Sequence, residues 1–162
     1  MFIHNYYRFN YMDQQLIIII GLPGSGKTSW CKNQHEYIIF DDFISTFYDG
    51  KLISALVENS NICINDPRMC IFDIFIRHIN IIEKYINRNN IYLVLFENNP
   101  KQCIINANNR IENKYNSTNT FDHKQKILEK QRLEFNITEY TKKYSIDNYL
   151  KWNHTIINVY SK

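Results

Sequence analysis

A chain of 162 residues, 44% hydrophobic and 22% charged, has the size and composition of one globular domain, large enough to bury about 70% of its unfolded surface without disulfide or metal staples. A formal net charge of +3 falls short of the dense Lys/Arg stripe of a dedicated nucleic-acid binder, and neither demands nor excludes such a partner. The longest fully apolar run, Leu16–Ile20, is far below the ~20 residues of a membrane span, Met1–Asp13 lacks an apolar export signal, and Cys31, Cys63, Cys70 and Cys103 have no zinc-site spacing. These features predict a soluble cytoplasmic protein with reduced thiols and no membrane partner. The preference for Ile, Asn, Lys and Tyr over Ala, Gly and Arg points to an AT-rich genome, such as that of a large DNA virus or a protist; for a virus the compartment would be the host cytoplasm.

In chain order, residues 1–15 form an N-terminal extension, and a single domain spans 16–162. The extension carries Tyr6, Tyr7, Arg8, Phe9 and Tyr11, predicting an edge strand or tail in preference to a base-stacking arm. Short β-branched or aromatic runs at Leu16–Ile20, Tyr37–Phe40, Ile62–Ile64, Ile91–Phe96 and Ile156–Tyr160 predict five strands of a parallel sheet buried on both faces. Between them Lys27–Gln34, Phe43–Glu58, Cys70–Arg88, Pro100–Asn113 and Asp122–Tyr144 are long enough for helical crossovers. In Cys70–Arg88 the apolar residues recur at spacings of three and four, predicting an amphipathic helix against the sheet. Asp122 is a candidate cap for the last helix. The polar stretch Glu112–Thr120 predicts a mobile loop.

Gly21-Leu22-Pro23-Gly24-Ser25-Gly26-Lys27-Thr28 fits G-x-x-x-x-G-K-[ST], between an apolar strand and a helix-compatible segment. Glycines let the backbone curl until successive N–H groups face phosphate, and the following helix turns its positive end to the same charge. The expected ligand is a nucleoside triphosphate, ATP or GTP, with Mg²⁺. Lys27 would neutralise the β- and γ-phosphates and Thr28 would offer its hydroxyl to the metal. The phosphate-binding set is Gly21, Pro23, Gly24, Ser25, Gly26, Lys27, Thr28 and Ser29.

Asp41 and Asp42 follow the second strand, at the end of a parallel sheet where ligand groups collect. Asp41 is the preferred general base, with Asp42 as the competing assignment, and one of the pair could instead cap a helix starting near Phe43. Asp66, after the third strand, is a candidate for ordering Mg²⁺, and Glu97, after the fourth, competes for that role. The five histidines do not converge with other ligands in sequence.

These residues resemble the P-loop kinases of the polynucleotide-kinase type, a likeness densest from Gly21 to Trp30, continuing at Asp41-Asp42 and weaker at Asp66 and around Asn99-Pro100 to Arg110. The resemblance implies a three-layer α/β P-loop fold with a five-stranded parallel sheet, helices on both faces, a mobile lid over about 106–121, ATP as donor and a hydroxyl as acceptor. It places the general base on Asp41 and the lid arginine, which steadies the transferring phosphoryl group, on Arg110. The chain departs from the family in three places, one of them the Asp66-Pro67-Arg68 turn, which replaces an Asp-Thr-Asn-like sequence. Ile44 stands where an arginine holds the acceptor phosphate, and Asn106 stands where the lid helix carries a second arginine. Arg68, Arg110 and Lys114 are the remaining candidates for phosphate contact.

The expected activity is transfer of the γ-phosphoryl group to a hydroxyl of a nucleotide, a nucleic-acid 5′ end or another small molecule. The alternative is a nucleotide-binding regulatory module without transfer.

Overall fold

The computed structural model describes residues 14–116 and 123–160. Its elements run β1 (Leu16–Ile20), α1 (Lys27–Cys31), β2 (Ile38–Asp41), α2 (Phe43–Thr46), α3 (Lys51–Val57), β3 (Ile62–Asn65), α4 (Phe72–Ile82), β4 (Ile91–Phe96), α5 (Pro100–Asn116), α6 (His123–Thr141) and β5 (Asn153–Ile157). Short 3₁₀ turns at Phe47–Asp49, Pro67–Cys70, Arg88–Asn90 and Ile146–Tyr149 complete the order. The five strands make one all-parallel sheet in the order β2-β3-β1-β4-β5. This is the expected three-layer α/β P-loop fold.

Burial follows position in the sheet. The central strand β1 is Leu-Ile-Ile-Ile-Ile and buried throughout, while the edge strand β2 exposes three of its four residues and the edge strand β5 has none fully buried. A run apolar at every position suits a strand covered on both faces. Alternate β1 residues enter separate clusters: Leu16, Ile18 and Ile20 join the large core, Ile17 and Ile19 the small one. Helices α2 to α6 all contribute to the large core, whereas Cys31 of α1, backed by Trp30, serves the small one beside Cys63, Val94 and Phe96.

Three expectations shift. The last strand is Asn153–Ile157, three residues earlier than Ile156–Tyr160, because its backbone pairs with β4 from Tyr92↔Asn153 to Phe96↔Ile157 and leaves Tyr160 beyond the sheet. The Phe43–Glu58 helix is broken: Asp42 and Gly50 adopt positive φ (51° and 78°), each starting a new short helix. The loop expected from Glu112 begins later, because residues 106–116 continue α5 without interruption. Lys126 and Lys130 pair with Glu112, Lys114 with Glu129 (2.8 Å) and Asn108 with Glu134 (2.9 Å), fastening α5 to α6.

Residues 117–121 of the expected lid, the Asp122 cap and positions 1–13 of the expected extension lie outside the described residues. Gln14 and Gln15, also assigned to the extension, are tied to the domain. The Gln14 amide donates to Leu56 O and Ser60 O, and the Gln15 backbone N–H donates to the Asn61 side chain. No described helix is long and apolar enough to cross a membrane.

Candidate functional site

The loop between β1 and α1 follows from its sequence. Ser25 N–H donates to Leu22 O (3.2 Å) across Pro23-Gly24, with Gly24 at φ 83°, the Pro-then-Gly order of a type II turn. Gly24 passes so close beneath α5 that a Cβ there would lie 2.3 Å from Cys103 O. Gly26, at φ 108°, begins α1 with no side-chain cap. The first backbone bond of that helix runs from Trp30 N–H to Gly26 O, so the N–H groups of Gly26, Lys27, Thr28 and Ser29 have no acceptor among the described residues. Four unclaimed donors in succession form an anion-binding concavity.

Lys27 is buried, and its ammonium donates to Gly21 O and Leu22 O, both at 2.7 Å. Burial pulls its pKa down to about 8, against smaller opposing influences that include Asp66. A third ammonium hydrogen remains for a ligand.

Across the carboxyl ends of the strands, Thr28, Asn65 and Asp41 form one polar line. Asn65 ends β3, between β1 and β2; its amide donates to Asp41 Oδ1 (3.0 Å) and reaches Thr28 Oγ1 (3.4 Å). Asp42 N–H also donates to Asp41 Oδ1 (3.1 Å). Asn65 is buried, and its own Oδ1 has no hydrogen-bond partner among the described residues. A buried acceptor without a donor is costly unless a bound group or water completes it. Among the described residues no group of three His, Cys, Asp or Glu side chains converges. Mg²⁺ takes one or two carboxylates and otherwise relies on waters and substrate phosphates. The oxygens of Thr28 and Asp41, with Asn65 between them, fit that requirement.

Asp66 does something other than the metal-ordering role expected of it. It is fully buried, and its two oxygens receive Ile44 N–H (2.9 Å), Arg68 N–H (2.8 Å), Arg68 Nε (2.9 Å) and Arg68 Nη2 (2.7 Å). Four donors fill the lone-pair positions of a carboxylate, so Asp66 anchors Arg68 and the start of α2. Arg68 Nη2 also meets Asp42 Oδ1 (2.6 Å) and Ser45 Oγ (3.1 Å). Asp42 precedes α2 but makes no side-chain cap, its carboxylate being turned to Arg68. The fork that might have gripped an acceptor phosphate is thus engaged by two carboxylates.

Arg110 is exposed on α5, with Lys114 and Glu129 as its charged neighbours. One turn earlier on α5, the Asn106 side chain hydrogen-bonds the loop: its amide donates to Gly24 O (2.9 Å) and to Tyr160 O. Lys114 pairs with Glu129. Glu97 follows β4 and is half-buried, its backbone N–H bonded to Ile157 O. The structure therefore gathers Gly21–Ser29, Asn65 and Asp41, leaves Arg110 a turn away, and gives Asp66 a structural task.

Asn65, Asn106 and Tyr160 are the site residues that sequence reasoning missed. Asn65 had one available signal, its position directly after an apolar run beside an acid. Asn106 was visible only as a departure from the family.

This P-loop fold and site define the class of the molecule. No family model matches the chain. It is 42% identical over 153 residues to an uncharacterized protein of Acanthamoeba polyphaga mimivirus, a match covering 92% of this chain and 99% of that protein. The chain belongs to the same family as this viral protein.

Proposed function

We propose that this protein is a kinase that holds a nucleoside triphosphate, ATP or GTP, with Mg²⁺ in the Gly21–Ser29 loop and moves the γ-phosphoryl group to a hydroxyl. The acceptor would be a nucleotide, a nucleic-acid 5′ end or another small molecule. The observation that carries the reading is the continuous polar line from the unclaimed N–H groups and Lys27, through Thr28 and Asn65, to Asp41. It supports a donor phosphate on one side and a general base on the other. With a viral protein in its family, the site of action would be the host cytoplasm.

The N–H groups of Gly26–Ser29 and the Lys27 ammonium hold the β- and γ-phosphates, and Thr28 would offer its hydroxyl oxygen toward the metal. Mg²⁺ held there would supply positive charge to offset that of the transferring phosphoryl group. Asp41 Oδ1 is held by Asn65 and Asp42 N–H, which aims Oδ2 at the acceptor. As the acceptor oxygen bonds to the γ-phosphorus, its proton passes to Asp41, and the bond from phosphorus to the β-bridging oxygen breaks with its electron pair leaving on the diphosphate.

Labelled ATP offered with nucleosides, 5′-hydroxyl DNA and RNA, sugars and peptides tests this. Transfer to a hydroxyl acceptor, lost in Asp41→Asn while nucleotide binding persists, is the expected result. Arg68 engaged by carboxylates and Arg110 away from the loop favour the second reading, a regulatory module. Binding without turnover on every acceptor would select that module.

A further inference from the structure

We infer that Tyr160 is the platform on which the nucleobase stacks, so that the short segment after β5 forms the base-selective wall of the site. This rests on the reading that the Gly21–Ser29 loop holds a nucleoside triphosphate, and it adds where the rest of that ligand lies.

The sheet order sets the direction. The loop leaves β1, the middle strand; the base candidate Asp41 and Asn65 stand on the β2–β3 side. A nucleotide whose γ-phosphate faces Asp41 must trail its sugar and base to the other side of β1, toward β4 and β5. Two strand spacings, ~10 Å in each direction, match the reach of an extended nucleoside triphosphate.

Tyr160 is the aromatic that stands there. Its ring lies against the loop backbone: a Cβ on Gly26 would fall 2.3 Å from Tyr160 Cδ2. The ring meets Phe96, the last residue of β4, edge-on at 5.9 Å between centroids. Its backbone is fastened to the same loop, with Tyr160 N–H donating to Ser25 O (3.3 Å) and the Asn106 amide donating to both Tyr160 O and Gly24 O. Three elements thus hold an aromatic ring at the rim of the concavity while 37% of the residue stays exposed. A packing residue of the large core would be covered; a ring fixed by its backbone and open to solvent is placed to accept a flat partner.

Two probes separate the base wall from the phosphate cradle. Magnesium ATP carries a base, and magnesium tripolyphosphate does not. Calorimetry on the full chain should show Tyr160→Ala weakening ATP roughly 5- to 100-fold, the range of one lost base stack, with tripolyphosphate unchanged. Tyr160→Phe should hold ATP within about twofold, since the ring carries the stacking. In the unaltered protein purine triphosphates should bind tighter than pyrimidine ones, and Tyr160→Ala should erase the spread. Equal losses for ATP and tripolyphosphate would overturn the inference by making Tyr160 a prop for the loop. A gain in ATP affinity would overturn it by making the ring a plug, and no change would place the base elsewhere. If the unaltered protein binds tripolyphosphate and ATP equally, the base wall fails while the phosphate cradle stands; if it binds neither, the nucleotide reading itself fails.

Discussion

On the β1 side of the cleft four successive backbone N–H groups lack an acceptor among the described residues, whereas on the β2 side Asp66 already receives four donors and Arg68 is engaged by Asp66, Asp42 and Ser45. One region has donors waiting for an anion. The other has satisfied its charges internally. Open valence in a folded protein marks where a ligand belongs, while closed valence marks what must stay still for that ligand to be used. Asp41 stands where the two regions meet, one of its oxygens held by Asn65 and by Asp42 N–H.

The largest expected effect tests that meeting point. Asp41→Asn should lower phosphoryl transfer by roughly 10²- to 10⁴-fold, the range for a lost general base, with the Kd for nucleotide little changed. Asp42→Asn should leave transfer largely intact; the reverse ranking in steady-state assays would exchange their roles.

Next comes the closed region. Asp66→Ala leaves Arg68 and Ile44 N–H without their acceptor and should cost about 3 kcal/mol, a fall in Tm of roughly 6–12 °C for a chain of this size, read by calorimetry. A Tm unchanged within a degree would show that the Arg68 anchor does not support the fold.

The open region responds in binding. Lys27→Ala should weaken MgATP by roughly 10- to 100-fold, the worth of a charged hydrogen bond; unchanged affinity would remove the lysine from the phosphate site.

The smallest effect is in pH. The Lys27 pKa is lowered in the folded chain, from 10.5 to about 8. Between those values the unfolded state holds the extra proton, so this group makes stability rise with pH across that window. Phosphate binding needs the ammonium, so affinity should be flat below pH 8 and fall up to tenfold per unit above it, with proton uptake on binding near pH 8.5. Titrations in buffers of different ionisation enthalpy would show the uptake; none, with flat affinity to pH 9.5, would contradict it.

Much of the fold was legible because the physics was local. β1 and β4 lie within the apolar runs that announced them, since strands covered on both faces admit little else. β5 was misplaced because Asn153, His154 and Thr155 belong to an edge strand, where polar residues are tolerated, while the apolar Val159 and Tyr160 follow it. The Phe43–Glu58 segment read as one helix because nothing in its periodicity shows that Asp42 and Gly50 take positive φ. In the site, the Gly21–Thr28 loop carries its own spacing and was readable. Asn65 and Asn106 were not, since each acts through a partner far off in sequence, Asp41 and Gly24. Asp66 looked like a free acid because its saturation by Arg68 and Ile44 exists only after folding.

The uneven clothing of the sheet has a further consequence. α1 is the described helix that shields the small cluster of Ile17, Ile19, Cys31 and Cys63, and it is five residues long, too short to hold itself together without its neighbours. The loop that would grip phosphate is therefore also the hinge of that shield. Occupancy of the loop and closure of this face form one linked equilibrium. Amide hydrogens of β1, together with the Cys31 and Cys63 thiols, whose sulfurs lie 3.9 Å apart, should exchange and alkylate faster in the empty protein and slow in step as tripolyphosphate is added.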